Sequence, residues 1–295
     1  MTVFNLGSIN ADHFYRVPHL PAPGETLAAT GHTIGLGGKG ANQSVAVAKA
    51  GSHAVHIGAV GSDGAWAVER IKGYGVNVGH IATVGAPTAH AIINVDDAGE
   101  NAIVIFSGAN KQQDSARIMD ALSGAGAGDT LLLQNETSHQ VEAAKTAQAL
   151  GLKVVYSAAP FDAEATARIL PHVSLLVVNQ VEADQLSKAL GLAPAAFPVA
   201  QLLITKGADG AIWRDQALGQ QVETAAFPVS PVDTTGAGDC FIGYTVAGMD
   251  QGMDAKQAMR LGAAASAIKV TRHGTADAIP DRAEVNAFLA GIDPK

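Results

Sequence analysis

The sequence predicts an α/β fold with three layers, α/β/α, in which a mainly parallel central sheet carries a small additional β-sheet. Short β-like runs alternate with Ala-rich helical stretches, a pattern typical of βαβ units. Right-handed crossovers between parallel strands would place helices on both faces of the sheet. Of the 295 residues, 47% are hydrophobic, which suffices for a large core. We expect one domain over residues 1–295.

The predicted elements follow one another in regular order. Each predicted strand is a short apolar run, and the first helix has Ala41, Val45 and Ala48 on one face. The strands are expected at Val3–Ile9, Val55–Val60, Thr130–Leu133, Val154–Tyr156, Leu175–Val178 and Leu202–Thr205. The helices are expected at Gly40–Ala50, Ala65–Tyr74, Ser138–Leu150, Ala163–Leu170, Val181–Leu190, Asp239–Met249, Ala255–Val270 and Glu284–Leu289.

Two segments interrupt this alternation. His13–Ile34 contains three prolines and has little helical pattern, and Ala89–Val95 and Asn101–Phe106 flank a five-residue polar loop that predicts a β-hairpin. We interpret segments 13–34 and 89–106 as strands of a small accessory sheet, a lid that would exclude water from a reaction site. The alternative is an antiparallel edge of the main sheet.

Composition excludes several classes of protein. With 19 basic and 27 acidic residues, the formal charge of −8 argues against non-specific nucleic-acid binding, which needs clustered basic side chains. The single cysteine, Cys240, permits no intramolecular disulfide and favours a reducing compartment. The first residues do not resemble a signal peptide, and the apolar runs are far shorter than the roughly 20 residues of a membrane span. We expect a cytoplasmic protein that binds no membrane.

A first glycine cluster lies at residues 35–43. Gly35, Gly37 and Gly40 match G-x-G-x-x-G, but no βαβ strand precedes them and no acidic residue follows before Asp63. Three interpretations stay open: a dinucleotide site, a glycine turn that opens a helix, and a close approach of the backbone to a small polar ligand. In the third, Lys39 and Asn42 would bind that ligand.

A second cluster, residues 233–239, reads Asp-Thr-Thr-Gly-Ala-Gly-Asp and opens a predicted helix. Backbone N–H groups of such a glycine turn, together with the helix dipole, form an anion site. Asp239 lies in the first helical turn, where an acid can also serve as a simple cap. Phosphoryl transfer needs N–H donors facing the transferring group and a carboxylate to accept the proton of the attacking hydroxyl, and this cluster has both.

Polar residues also follow several predicted strands. Asn10 and Asp12 come after the first strand, Glu136 after Thr130–Leu133, and Asn179 and Glu182 after Leu175–Val178. A Thr-Lys-Gly-Ala-Asp-Gly segment, 205–210, follows the next strand. In an open α/β sheet, ligands bind beyond the carboxyl ends of the strands. Each residue alone is equally typical of a helix cap, but all of them fall at one edge of the predicted sheet.

Together, these clusters resemble the ribokinase/PfkB family of carbohydrate kinases. Residues 37–43 and 233–239 are similar to its two signatures, and the similarity spans nearly the whole chain. The resemblance implies a ribokinase-like fold and ATP-dependent phosphorylation of a sugar hydroxyl, with D-ribose converted to D-ribose 5-phosphate. Alternative substrates within the family are a nucleoside, fructose or a 2-keto-3-deoxy sugar acid. The remaining alternatives are a dinucleotide-dependent oxidoreductase and a non-catalytic sugar sensor.

The resemblance also implies a role for each matching residue. Asp239 would be the general base, and the N–H groups of Gly236, Ala237 and Gly238 would form the anion hole. The implied sugar-binding residues are Asn10, Asp12, Gly38, Lys39, Asn42, Glu136 and Asp239. The implied ATP-binding residues are Asn179, Thr205, Gly207, Gly210 and Gly238.

The implied cofactors are Mg²⁺ and an activating monovalent cation such as K⁺. Glu182 would hold Mg²⁺ through water. The cation would bind a loop matched by Asp233, Thr235, Lys269, Arg272 and Gly274, several of them through backbone carbonyls. The lid would form the interface of a homodimer.

Three departures from the family pattern bear on these roles. Ala278 stands where the cation loop often has Ser, so the cation site would be weaker or would use water. Tyr-Ser-Ala-Ala-Pro at residues 156–160 replaces an Asn-Pro-type segment on the nucleotide side. Gly262 stands where a side chain that contacts adenine is common.

Overall fold

In a computed structural model that describes residues 1–292, the chain forms thirteen strands and nine α-helices. The strands are β1 (Thr2–Leu6), β2 (Asn10–Arg16), β3 (Gly31–Gly37), β4 (His53–Val60), β5 (Asn77–Thr83), β6 (Ala89–Val95), β7 (Asn101–Phe106), β8 (Thr130–Gln134), β9 (Lys153–Ser157), β10 (Leu175–Asn179), β11 (Gln201–Thr205), β12 (Ala211–Asp215) and β13 (Gln220–Thr224). The helices are α1 (Lys39–Lys49), α2 (Ala65–Gly73), α3 (Ser115–Ser123), α4 (Gln140–Ala149), α5 (Ala163–Ile169), α6 (Gln180–Leu190), α7 (Ala237–Asp250), α8 (Ala255–Val270) and α9 (Arg282–Ile292).

Two sheets organise the fold. The main sheet has the order β13-β12-β11-β10-β9-β8-β1-β4-β5, and all its strands run parallel except β12, which is antiparallel to both of its neighbours. The second sheet has the order β3-β2-β6-β7. This arrangement confirms the predicted three-layer fold with a small accessory β-sheet. The interpretation of the interrupting segments as an edge of the main sheet is wrong, because they pair with each other instead.

Buried side chains form one cluster on each face of the main sheet. One cluster joins the sheet to α1, α7 and α8 through residues such as Val45, Tyr244 and Met259. The other joins it to α3–α6 through residues such as Leu122 and Leu186. Burial of each large apolar side chain contributes about 1.5–3 kcal/mol. The sheet is therefore held rigid from both sides, and its carboxyl edge can position polar groups.

Some strand and lid boundaries in the structure differ from the predicted ones. Strand β1 ends at Leu6, not Ile9, and Asn10 and Asp12 belong to lid strand β2 instead of following the first strand as a turn. The lid sheet therefore begins at Asn10 and ends its first segment at Gly37, wider than 13–34. The sequence pattern did not predict β5, β12, β13 or α3. The three missed strands lie at the two edges of the main sheet, where partial exposure weakens the apolar pattern.

None of the helices within residues 1–292 combines the length and the apolar composition that a membrane span requires.

Candidate active site

A cavity of about 190 Å³ lies where the carboxyl ends of β9, β10 and β11 meet the first turns of α1 and α7. Residues from three of the predicted clusters line it together. Those residues are Lys39 from the first glycine cluster, Gly236, Gly238 and Asp239 from the second, and Asn179, Glu182 and Thr205 from the strand ends.

The first glycine cluster brings α1 against the end of β1. A Cβ atom at Gly40 would lie 2.3 Å from the Cα of Gly7, so no other residue fits there without displacing the chain. The N–H of Ala41 donates to the Ser8 carbonyl at 2.9 Å. Gly35 and Gly37 lie in lid strand β3, not in a turn after a parallel strand. The dinucleotide-site hypothesis for this cluster is therefore wrong.

Asp239 lies buried in the first turn of α7, where two side-chain amides from α1 hold its carboxylate. Asn42 Nδ2 donates to Oδ2 at 3.0 Å, and Gln43 Nε2 donates to Oδ1 at 2.9 Å. The chain enters α7 through Gly236, whose φ of 74° is in the left-handed region that favours glycine. Both oxygens of Asp239 are thereby fixed, and each keeps a free lone pair for another donor.

A buried chain of amides supports this arrangement, and the sequence analysis did not find it. Gln134 Nε2 donates to Gln43 Oε1 at 2.8 Å and to Asn5 Oδ1 at 2.9 Å. The amides connect β8 and β1 to α1, and through Gln43 to Asp239. Gln43 was visible in the first cluster, but nothing local pointed to Asn5 or Gln134.

The N-terminus of α7 offers backbone N–H groups to the same cavity. The first N–H groups of a helix have no intrahelical partner, and they carry the positive end of the helix dipole. Ala237 N–H closes a turn onto the Thr234 carbonyl at 3.1 Å. The groups that remain available to face an anion are therefore those of Gly236, Gly238 and Asp239. The predicted N–H of Ala237 is engaged within the turn in this conformation.

The predicted sugar-binding residues lie on the lid side of Asp239. Ser8 Oγ and the backbone N–H of Lys39 both donate to Glu136 Oε2, the latter at 3.2 Å. Lys39 is the first residue of α1, directly after Gly38 at its N-cap. Asn42 Oδ1 is buried without a hydrogen-bond partner in the part of the chain that the structure describes. A hydroxyl donor would remove the energetic cost of that unpaired acceptor.

Asn110 is a further residue that the sequence analysis missed. It is buried in a short 3₁₀ turn after the lid hairpin, and its Nδ2 donates to Asn10 Oδ1 at 2.8 Å. Its own Oδ1 accepts from the N–H of Ile9 at 3.0 Å. Asn110 therefore orients Asn10 at the first residue of the lid.

Five ionisable groups influence one another here. The carboxylates of Asp239, and then of Glu136 and Glu182, raise the pKa of the Lys39 ammonium. Burial, and then the charge of Glu136, raise the pKa of Asp12 to about 7. Burial likewise raises the pKa of Glu136. The acids are thus held close together around one cation, an arrangement suited to accepting hydrogen bonds from a polyhydroxyl ligand.

A second cavity, of about 550 Å³, lies on the opposite side of the N-terminus of α7. Its walls are mostly apolar, and it shares Thr205 and Gly238 with the first cavity. The lining residues include the predicted Gly207 and Gly210, together with Phe227, Phe241, Ala263, Ser266 and Ala267. A flat heterocycle fits such a cavity.

Gly262 does not lie at a position that would contact adenine, as the resemblance had implied. A Cβ atom there would lie 2.4 Å from Thr245 Oγ1, because Gly262 packs against α7. Ala263 and Ser266, on the same helix, line the apolar cavity instead. The absence of a side chain at Gly262 therefore reflects the close packing of α7 and α8, not the choice of base.

Asn179 and Glu182 form a capping box at the start of α6. Asn179 Oδ1 accepts from the Glu182 N–H at 2.9 Å, and Glu182 Oε2 accepts from the Asn179 N–H at 2.8 Å. Both residues nevertheless line the smaller cavity. The second oxygen of Glu182 fits a hydrated Mg²⁺, which usually takes one or two carboxylates with water and phosphate oxygens.

The residues predicted for a monovalent cation also come together. The carboxylate of Asp233 accepts from the N–H groups of Thr235 at 2.9 Å and Gly274 at 3.0 Å. Lys269 Nζ donates to the Asp233 carbonyl at 2.9 Å. The side chain of Arg272 turns away to pair with Glu284 at 2.5 Å.

Comparison with known proteins shows which family this chain resembles along its length. The model of the pfkB family carbohydrate kinases matches residues 2–282. The ribokinase of Haemophilus influenzae is 35% identical over 98% of this chain and 98% of its own length. Among solved structures, ribokinase from Thermotoga maritima is 31% identical with a TM-score of 0.86, covering 98% of this chain and 99% of its own. Arabidopsis thaliana ribokinase, solved with ribose and ATP, is 28% identical with a TM-score of 0.86, covering 97% and 98%.

Proposed function

This chain belongs to the pfkB family of carbohydrate kinases, and we propose that it transfers the γ-phosphate of ATP to D-ribose, forming D-ribose 5-phosphate and ADP. The observation that carries the proposal is the position of Asp239. Its carboxylate lies at the N-terminus of α7, with the polar lid-side residues on one side and the apolar cavity on the other. The ribokinases among the relatives support ribose as the sugar.

Asp239 acts as the general base of the transfer. The 5-hydroxyl of ribose gives its proton to a carboxylate oxygen of Asp239 as its own oxygen bonds to the γ-phosphorus, and the bond from that phosphorus to the β-phosphate bridging oxygen breaks. Asn42 and Gln43 hold the carboxylate in one orientation. A positioned base of this kind contributes typically about 10²–10⁴-fold.

The N-terminus of α7 stabilises the charge on the transferring group. The N–H groups of Gly238 and Asp239 point along the helix axis toward the cavity, and the turn at Gly236 and Ala237 sets their direction. Donors that are fixed before the reaction need no reorganisation when charge develops. Lys39 adds a positive charge beside Asp239 and Glu136.

Sugar recognition is assigned to Asn10, Asp12, Gly38, Lys39, Asn42 and Glu136. These residues present acceptors and donors at the base of the lid, as a polyol requires. The unpaired Oδ1 of Asn42 supports the assignment, since a sugar hydroxyl would supply the donor that the folded chain lacks. Ala91 and Ile93 lie buried on lid strand β6.

The nucleotide is assigned to the apolar cavity, with Thr205, Gly207 and Gly210 at its rim and Asn179 toward the phosphates. Glu182 would hold Mg²⁺ through water. The chemistry that Mg²⁺ would supply there, when bound with ATP, is positive charge beside the phosphate oxygens.

A homodimer through the lid completes the proposal. Strand β7 is an edge strand whose residues are all exposed, including Ile103, Val104, Ile105 and Phe106. An exposed apolar edge strand pairs readily with another chain. A second copy of β7 would pair with it and cover these side chains. A dimer mass in light scattering, lost in Ile105→Lys, is the expected result, and a monomeric wild type would contradict it.

A coupled assay of ADP formation tests the function across D-ribose, 2-deoxyribose, fructose, nucleosides and 2-keto-3-deoxy sugar acids. We expect the highest kcat/KM with D-ribose, and a product that carries phosphate on C5. A higher kcat/KM with a nucleoside or another sugar would overturn the substrate but leave the kinase class intact. No acceptor-dependent ADP formation at all would overturn the proposed function.

A further inference from the structure

Lys269 is a fully buried lysine that no step of the transfer reaction uses. It lies in the last turn of α8, with a relative exposure of 0%. Its Nζ donates to the carbonyl of Asp233 at 2.9 Å. Burying an ammonium group is costly unless it has a role or a partner, and a lysine of this kind needs an explanation.

The ammonium lies against the loop that leads into the anion-binding turn. Asp233 is three residues before Gly236, and its carboxylate ties the N–H groups of Thr235 and Gly274 together. Ser266 Oγ, on the same helix as Lys269, donates to the carbonyl of Ala237 at 3.1 Å. Lys269 is thus one of the few fixed points that determine how the N–H groups of Gly238 and Asp239 are presented.

The charge on Lys269 is balanced mainly by acids of the active site. Burial lowers the pKa of Lys269, and the carboxylates of Asp233 and Asp239 oppose that effect. Burial raises the pKa of the neighbouring Cys240 thiol, so that this thiol remains neutral.

These positions fit a monovalent cation poorly. The loop implied by the resemblance would bind the cation with several backbone carbonyls, but the carbonyl of Asp233 already accepts from the ammonium of Lys269. Ala278 supplies no side-chain oxygen where a hydroxyl would complete the loop. A K⁺ ion bound to Asp233 would lie close to the Lys269 ammonium, a second positive charge that is covalently attached to the chain.

We propose that the ammonium of Lys269 replaces the activating monovalent cation in this chain, ordering the anion-binding turn from within. The inference rests on the proposed kinase function, because the turn it orders is the one that binds the γ-phosphate. Lys269 is a positioning residue in this account, since it acts through the Asp233 loop. The enzyme is then active without K⁺.

Two measurements on the wild type test this directly. Turnover in K⁺ and in tetramethylammonium, at equal ionic strength, should agree within about twofold. Both salts screen charges equally, so only specific binding of K⁺ could make the turnover differ. The melting temperature should be the same in both salts, since an ion that binds only the folded state would raise it. A K⁺-specific gain in turnover or in melting temperature would overturn the proposal.

Two substitutions separate the charge from its packing. Lys269→Met keeps much of the stem but not the charge, and its kcat should fall roughly tenfold or more in either salt. Lys269→Ala leaves room at the loop, and K⁺ should restore its kcat roughly tenfold relative to tetramethylammonium. Unchanged kcat in both variants would overturn the proposal, as would a loss in Lys269→Ala that K⁺ does not restore.

Lys49→Met is the matched control. Lys49 is partly buried, and its Nζ, like that of Lys269, donates to a backbone carbonyl, in this case that of Ile279 at 2.5 Å. Its removal should leave the wild-type insensitivity to K⁺ unchanged, and K⁺ dependence in this variant would count against a specific role for Lys269. If the Lys269 variants do not fold, the wild-type melting temperatures still decide the question. The melting temperatures also decide the question if the enzyme turns over no sugar. That result would contradict the proposed function alone.

Discussion

The two sides of the active site are built in different ways. On the sugar side, Asp12, Asn42 and Asp239 are less than 10% exposed, and side-chain hydrogen bonds join Asn42 to Asp239. On the nucleotide side, Asn179 and Gly207 are exposed and Glu182 is half-buried, and the cavity beyond them is mostly apolar. In the proposed assignment, fixed polar side chains would recognise the sugar, and backbone groups, shape and a few caps would recognise the nucleotide.

The difference follows from the chemistry of the two ligands. A sugar is neutral and offers only hydroxyl groups, so its site must supply positioned donors and acceptors. ATP brings its own charge and a bound metal ion, and its base requires chiefly an apolar slot. A polar group left unpaired on the buried sugar side costs about 1–3 kcal/mol. Substitutions there should therefore have larger effects than substitutions in the apolar cavity.

The largest effect is expected at the point where the two sides meet. Asp239→Asn preserves the shape of the side chain but removes the base, so kcat should fall by about 10²–10⁴-fold. Binding of ribose and ATP, measured by calorimetry, should change far less. Asp184→Asn, at an exposed acid on α6, is the control and should retain wild-type kcat. Full turnover in Asp239→Asn would show that the base lies elsewhere.

An intermediate effect is expected from Asp12 on the sugar side. In the proposed role, its ionised carboxylate would accept hydrogen bonds from sugar hydroxyls, and burial raises its pKa to about 7. The KM for ribose in the wild type should therefore rise as the pH falls below about 7. Asp12→Asn should raise that KM about tenfold at pH 8, within the cost of a lost charged hydrogen bond, and flatten its pH dependence. A KM that is independent of pH in the wild type would contradict this role.

The same carboxyl group should affect stability with the opposite sign. Because the folded-state pKa lies above the ordinary 3.8, the folded enzyme binds the proton more tightly than the unfolded chain. The free energy of unfolding without ligand should fall as the pH rises from about 4 to about 7. Asp12→Asn should remove that fall, so that the variant is the more stable protein at pH 8 in urea unfolding. The gain in stability and the loss of sugar affinity in Asp12→Asn would then both come from the removal of one carboxyl group.

The smallest effect is expected in the apolar cavity. Ala263→Leu narrows a wall made of small residues, and overpacking of this kind costs about 1 kcal/mol or slightly more. The KM for ATP should rise severalfold, with the KM for ribose and kcat nearly unchanged. A selective increase of the ribose KM would mean that the two sides have been assigned in the wrong order.

Sequence reasoning could group candidate residues that lie close together along the chain, and the structure brings these residues to one place. Asp239 and its glycine turn lie within seven residues, and Lys39 and Asn42 adjoin a glycine that packing requires. It failed for partners that only the fold brings together: Gln43 and Asp239 are 196 residues apart, and Gln134 and Asn5 are 129 apart. Amides in a strand look the same in sequence whether they are exposed or join a network.

The apolar cavity shows the same limit in another form. Ala263 and Ser266 line it, but small residues on a helix equally predict close helix packing, as they do at Gly262. The orientation of α8 decides between the two, and orientation is a property of the whole core. The buried position of Lys269 is a further example, since lysine is almost never fully buried.

A crystal structure of Asp239→Asn with ribose and ATP would test the central claim most directly. The account predicts that the ribose 5-oxygen lies about 3–3.5 Å from the γ-phosphorus, in line with the bond that breaks, and within hydrogen-bond distance of residue 239. The γ-phosphate should face the N–H groups at the start of α7. A sugar whose 5-hydroxyl points away from residue 239, or phosphates bound elsewhere than at that helix, would contradict it.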